Sequence, residues 1–315
     1  NKLDTYLYYV FIRRKIMAEF NPLTADANLK SLADTGKNPL EQYFRQPKVY
    51  ITLPSKGKYY ADGALDIPET GEFPVYAMTA KDELTMKTPD ALLNGAATVS
   101  VIKSCIPNIV DPWELPSIDL DAILIGIRIA TYGEMLDIDT KVPVTGEDKT
   151  FQVDLRKMLN RLVTVDYEDE ISVGDFTITL KPLSYRKFTE TSLKTFEEQR
   201  IFNTVNDDEL PDSDKLARFA ESFQKLTDIT VSMMSNGIAK ITIGDTEVTN
   251  PDHISEFIDN VDKNVYQDIL DHLDAQRKKF AIEPLQVTST EEDVKKGAPK
   301  TFEVPITFDQ SNFFA

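Results

Sequence analysis

The sequence predicts an α+β protein: an extended N-terminal arm, a mixed α/β core built round one apolar helix, and a second helical region carrying two β-hairpins. Three observations predict it. Residues 117–132 distribute Ile118, Leu120, Ile123, Leu124, Ile125, Ile127 and Ile129 around nearly the whole circumference of a helix, as a helix enclosed by protein requires. Residues 171–180 and 238–248 alternate about Gly174-Asp175 and Gly244-Asp245, a pattern of turn and strand that marks hairpins. Leu216, Phe219, Phe223, Leu226 and Met233 recur at helical spacing and read as a core-facing stripe that ends at Asn236-Gly237.

Taken in order, residues 1–47 read as an arm. Residues 6–12 are apolar, but Arg13, Arg14 and Lys15 follow them rather than precede them, the wrong order for a secretory signal, and the run is too short for a membrane span. Met17 opens a more ordinary sequence, so residues 1–16 are read as a candidate non-native extension. Residues 21–47 carry Pro22, Pro39 and Pro47 and no sustained apolar period, which suits an extended segment with room for one short helix.

A core domain is expected over 48–165. Its first strand begins at Val49, is stopped by Pro54 and a Ser-Lys-Gly turn, and pairs with a strand over 73–78. Thr88-Pro89-Asp90 reads as a helix start, with Gly95 placed to end the turn. In 98–106, Val99, Ile102 and Ile106 favour helix over strand. Asp111-Pro112-Trp113-Glu114 predicts one capped turn. Gly133 ends the apolar helix, 137–151 is expected as irregular turn or short strand, and 153–162 is helical.

A second α+β region is expected over 166–315. Besides its hairpins, Asn250-Pro251 cap a helix, and Val265, Ile269, Leu273 and Phe280 mark a face of the next. Residues 206–214, NDDELPDSD, read as a solvated acidic connection, and 301–308 as a C-terminal strand.

Composition narrows the function. The 315 residues hold 52 Asp plus Glu against 35 Lys plus Arg, and a net charge of -17 repels phosphate backbones and anionic membranes, so neither nucleic acid nor membrane is an expected partner. One cysteine closes no intrachain disulfide, which fits an intracellular folding environment. His253 and His272 have no Cys, His or acid at ligand spacing, so no metal or cofactor is expected and the composition leans against an enzyme.

Individual residues have plain readings. Cys105, beside Ile106 and Pro107, suits a buried small hydrophobe better than a nucleophile. The turn Ser55-Lys56-Gly57-Lys58 shares only composition with a phosphate loop. The carboxylates are so many that a pair at glycosidase separation arises in any fold. Asp119 and Asp121, on the first turn of the apolar helix, suit the positive end of its dipole. Arg128 lies on a helix with almost no polar face, and is expected to pair with Asp82, Glu83, Asp90 or Asp121. Tyr6, Phe11, Phe302, Phe308, Phe313 and Phe314, near the ends, read as anchors for another subunit.

The blocks LPSKGKYY at 53–60, MTAKDELTMKTPDALLNGAATVSVIKSCIPNI at 78–109 and IDLDAILIGIRIATYGEMLDI at 118–138 together resemble the baseplate hub proteins of T-even-like contractile-tailed phages, the myoviruses. That family has a Pro-Ser-x-Gly-x-x-Tyr turn, a Lys-x-Pro-Asp-Ala-Leu-x-x-Gly segment, a Ser-Cys-x-Pro turn and an acidic start to an Ile-Arg-x-Ala-x-Tyr-Gly helix, in this order. The matching positions here include Pro54, Ser55, Gly57 and Tyr60, then Pro89, Asp90 and Gly95, then Cys105 and Pro107, and finally Asp119, Asp121, Arg128, Tyr132 and Gly133. Residues 303–309 with Phe313 and Phe314 are similar more weakly. Where members often carry paired cysteines after the Tyr-Gly, residues 141–146 here read KVPVTG without a thiol, so a zinc site is not carried over.

The resemblance implies a structural or assembly role in the baseplate hub, with other baseplate or tail proteins as partners and a homo-oligomer as a further possibility. It implies a place in the virion tail baseplate, in the host cytoplasm during assembly, or both. Asp82, Glu83, Asp90, Asp121 and Arg128 are expected to hold the block together as a polar network. Two rival readings stand beside it: a tail-associated cell-wall or polysaccharide hydrolase using paired carboxylates, and an adaptor unrelated to tails.

Overall fold

The computed structural model describes residues 38, 40–87, 95–204 and 212–306, except the side chains of 42, 201–204 and 212–214. The expectations for 1–37, for Pro89 and Asp90, for 206–211 and for Phe308, Phe313 and Phe314 lie outside the described residues. The chain divides into two units, Asn1–Gln46 and Pro47–Ala315. In the first, Glu41–Tyr43 form a single 3-10 turn.

In the second unit, β1 (Pro47–Ile51) pairs antiparallel with β2 (Phe73–Tyr76), and Val49 stands opposite Val75. Two helices come next, α1 (Ala80–Met86) and α2 (Ala96–Cys105). The first went unread in the sequence, although Thr79-x-x-Asp82 is a capping box, with the Thr79 hydroxyl and the Asp82 carboxylate each binding the other's backbone amide. A 3-10 turn at Pro112–Glu114 is capped by Asp111, and another at Ser117–Asp119 leads into the apolar helix α3 (Leu120–Tyr132), which Gly133 ends at φ 97°.

Two expectations are refined after α3. For 137–151, expected as irregular turn or short strand, the strand alternative holds and the strands are longer than expected: β3 (Met135–Lys141) and β4 (Asp148–Asp154) form a regular antiparallel hairpin. Its turn is closed by the Gly146 amide donating to the Val142 carbonyl at 2.9 Å, with Val144 and Gly146 both at positive φ. Asp137 and Asp139 hide the strand signal because acids are poor strand formers. Here they accept cross-strand hydrogen bonds from Gln152 at 2.9 Å and Thr150 at 2.5 Å. The strand also runs through Val153, so the helix expected from there begins later, as α4 (Leu155–Thr164), capped by Asp154.

β5 (Glu170–Val173), β6 (Phe176–Leu180), β7 (Ile238–Ile243) and β8 (Thr246–Val248) make one antiparallel sheet in sequence order. Both hairpin turns fall at the predicted Gly-Asp pairs. Between β6 and β7 rises a helical hairpin, α5 (Tyr185–Thr204) and α6 (Asp212–Asn236). After the sheet come α7 (Pro251–Asn260), capped by Asn250, and α8 (Lys263–Phe280), capped by Asp262. β9 (Leu285–Thr288) pairs with β10 (Thr301–Val304) across the short helix α9 (Glu291–Lys295). The last strand is shorter than expected; Pro305, which brings no backbone donor, comes directly after its last residue.

Two buried clusters result. The first surrounds α3 with residues of β1, β2, α2, β3 and α4, and includes Cys105. Gly126 lets α3 lie close on β1: a Cβ there would stand 3.1 Å from the Ile51 side chain. The second packs β6 and β7 against α7, α8 and the end of α6. The stripe expected to be core on α6 is a correction. Leu216 is 70% exposed and Phe223 62%, Phe219 and Met233 are exposed too, and only Leu226 is half-buried. Helical periodicity identifies one face of a helix and not what covers it.

Candidate functional site

Asp119 has no exposed surface and organises the 53–60 turn. Its Oδ1 accepts from the Ser55 amide at 2.7 Å, and its Oδ2 accepts from the Ser55 hydroxyl at 2.5 Å and the Tyr60 hydroxyl at 3.0 Å. The turn needs this hold because Lys56, Gly57 and Tyr59 all lie at positive φ, a conformation that costs a residue with a Cβ about 1 kcal/mol or more. At Gly57 a Cβ would stand 2.7 Å from the Ile67 side chain, so glycine answers both the φ and the space. Burial pushes the Asp119 carboxyl up to about 6, against the lowering effect of its three donors. Tyr60 rises well above its ordinary range because it too is buried and faces that carboxylate.

Asp119 stands at the start of α3, where the sequence places it; its side chain makes no capping bond there and holds the distant turn. The same turn grips residues 166–169. Lys56 pairs with Asp166 at 2.5 Å, the Tyr59 hydroxyl donates to Asp169 at 3.0 Å, and the Tyr59 ring meets Tyr167 edge-on. Burial, with the Asp169 contact, lifts Tyr59 to about 12. From the other side α8 holds Glu168: Gln276 accepts from its amide at 3.0 Å and Lys279 pairs with its carboxylate at 2.6 Å, while a ring nitrogen of His272 lies 2.9 Å from its carbonyl oxygen. His272 is thus a backbone tether.

Asp121, in the first turn of α3, makes no hydrogen bond or ion pair with a described residue. It lines an apolar groove of about 600 Å³, among Leu120, Tyr167, Leu183 and Phe280. Desolvation there pushes its carboxyl up to about 6.

At the far end of α3 the expected ion pairs are not found. Arg128 is buried, pairs with none of Asp82, Glu83 and Asp121, and lies over the Tyr132 ring at 4.5 Å. Its Nε and one terminal nitrogen are buried without a hydrogen-bond partner, and desolvation lowers its pKa. Glu83 bonds the Tyr132 hydroxyl instead, and Asp82 accepts from the Thr79 amide and hydroxyl and from the Ser104 hydroxyl, tying α1 to α2. Among the described residues Arg128 thus makes no ion pair with the acids expected to join it, and Asp90 lies outside the described residues.

The remaining sequence-selected residues are scattered. Pro54 is buried at the head of the turn and Pro107 is exposed after α2. Gly95, at φ 76°, is buried where α5 crosses, since a Cβ would meet the Tyr185 hydroxyl at 3.1 Å. Of the selected set, the structure gathers Pro54, Ser55, Gly57, Tyr60 and Asp119. Reasoning from sequence missed Tyr59, Asp169, Glu168 and Gln276, whose contacts span more than a hundred residues and leave no local pattern. Among the described residues no cluster of three His, Cys, Asp or Glu could hold a metal ion, and no helix is long and apolar enough to cross a membrane.

The family model described as T4 bacteriophage base plate protein matches residues 45–302, so the chain belongs to that family. No curated protein and no solved structure matches it.

Proposed function

We propose that this member of the phage base plate family is a structural or assembly component of the baseplate hub and works through protein–protein contacts rather than catalysis. The observation that carries the reading is the use made of Asp119. The carboxylate of Asp119 is sealed from solvent and uses both oxygens to hold backbone and side chains of one turn. A catalytic carboxylate must reach substrate or water, whereas this one makes a rigid platform.

In this reading, residues 48–165 form the part that carries the hub-family motifs, residues 166–315 a second part, and 1–47 an arm that contacts a neighbour. The 53–60 turn and the 166–169 segment lock the two larger parts, so that their surfaces are presented to other tail proteins in fixed relation. The alternative, a tail-associated hydrolase, needs a pair of accessible acids, and Asp119 is not one.

The test is mass spectrometry of gradient-purified virions of the source phage beside lysate of infected cells, together with deletion of the gene. A fixed low copy number in particles supports a resident hub component. Peptides in lysate only, with baseplate-defective particles on deletion, support an assembly factor. Normal tails on deletion overturn the hub reading, and clearing of a peptidoglycan or polysaccharide plate by the pure protein overturns the non-catalytic one.

A further inference from the structure

The helical hairpin α5–α6 is built inside out. Its inner side holds Ser222, only 2% exposed, and a contact between Lys225 and Glu198 at 3.6 Å, with one Glu198 oxygen buried and unbonded. Its outside carries Leu216 and Phe223 on α6 and Phe188 and Phe196 on α5, the last 57% exposed. On α6 the positions 216, 219, 223, 226, 230 and 233 alternate in steps of three and four, the seam of a helix packed lengthwise against another helix. A monomer that kept such a stripe in water would leave a large apolar patch unused.

We propose that this face is covered by a second copy of the same chain, the two hairpins packing about a two-fold axis. Charge favours this occupant. With a net charge of -17 one copy repels another over most of its surface, yet the residues of α5 and α6 carry seven Lys and Arg against seven Asp and Glu. The sequence between the two helices adds Asp207, Asp208 and Glu209, so it is the helices themselves, neutral in sum, that offer a place where like chains meet without that repulsion. Area agrees. Helices of 20 and 25 residues are about 30 and 37 Å long at 1.5 Å per residue. With faces about 10 Å wide, they bury roughly 1,300 Å² over both copies, within the ordinary range for a specific interface. A two-fold axis brings the same stripe to itself, so one set of residues supplies both sides. This inference goes beyond the hub reading and does not depend on it.

Sedimentation velocity on the full chain from about 1 to 100 μM, at physiological salt, tests it. The expected species is a dimer, twice the 35.6 kDa chain. Leu216→Glu combined with Phe223→Glu is expected to weaken dimerisation at least about 100-fold, leaving monomer throughout with unchanged circular dichroism. Phe223→Leu, which keeps the apolar contact, is expected to retain the dimer, as is Tyr50→Glu on an exposed part of β1. A parent that stays monomeric at the highest concentration overturns the proposal, and so does a dimer indifferent to the double substitution. A double variant that unfolds overturns it too, because the stripe would then belong to the interior of one protomer.

Discussion

Helix α3 and the hairpin α5–α6 both repeat apolar residues at helical spacing, and the chain treats them in opposite ways. Around α3 the strands β1 and β2, the helices α2 and α4 and the hairpin β3–β4 close in from all sides, and Ile123, Ile125 and Ile127 keep no exposed surface. Along α5 and α6 the chain supplies support at the base. There Tyr185 stacks on Trp113, the Tyr185 amide donates to the Leu115 carbonyl at 2.7 Å, and Met234 enters the second cluster. Farther out, Leu216, Phe223 and Phe196 stay in water. The lesson is that an apolar stripe reports a demand for a partner, and the partner need not be the same chain.

Stability measurements can break or sharpen this contrast, and the largest effect is expected at the foot of α3. Asp119→Ala leaves the Ser55 amide and hydroxyl and the Tyr60 hydroxyl without their acceptor. It is expected to cost about 3–5 kcal/mol, roughly 10 °C in Tm by calorimetry, whereas Leu216→Ser on the hairpin stays within about 0.5 kcal/mol of the parent at concentrations where the chain is monomeric. Equal losses at the two sites would erase the distinction between a closed and an open helix face.

Next in size is Gly126→Val, which drives a branched side chain into Ile51 where a Cβ alone would already stand at 3.1 Å. Overpacking of this kind costs about 1–3 kcal/mol, read from the urea midpoint at unchanged slope. Little or no loss would show that α3 and β1 have more room than their contact suggests.

Asp121 gives a pH signature. Its carboxyl sits at about 6 in the folded protein against an ordinary 3.8, so between those values the folded state holds a proton that the unfolded chain has released. Stability from this group therefore falls as pH rises from about 4 to about 6, and levels off above. Asp121→Asn is expected to raise Tm relative to the parent at pH 7, by about 1–2 kcal/mol in stability once its partial exposure is allowed for, with the two curves converging near pH 4. Parallel curves would mean that water reaches the groove freely.

The smallest effect is expected at Arg128. With two of its nitrogens buried and unbonded, Arg128→Met is expected to stay within about 1 kcal/mol of the parent or gain slightly, because the lost stacking on Tyr132 is offset by release from desolvation. A loss of several kcal/mol by thermal melting would restore the ion-pair network that the sequence suggested.

Local patterns were legible where a short stretch contains its own reason. Gly174-Asp175 and Gly244-Asp245 dictate tight turns, Gly133 ends α3, Asn250 caps α7, and Asp111 caps the 3-10 turn at Pro112–Glu114. The site was legible in part: Ser55, Gly57, Tyr60 and Asp119 were singled out by resemblance, but nothing local revealed that one carboxylate binds the other two polar groups across about sixty residues. The hairpin β3–β4 was only half legible, as irregular turn or short strand, because cross-strand partners, absent from any window of sequence, satisfy Asp137 and Asp139.

What the sequence determined by itself is the α+β class, the punctuation of its elements and the apolar surfaces that must be covered, because turn geometry, capping and amphipathic period act within a few residues. Only the tertiary structure decided which acid is sealed into the 53–60 turn, which faces an apolar groove, and which apolar stripe is enclosed. Those outcomes depend on the shape and polarity of surfaces brought together from distant parts of the chain, and burial and pairing energies belong to such meetings rather than to single residues.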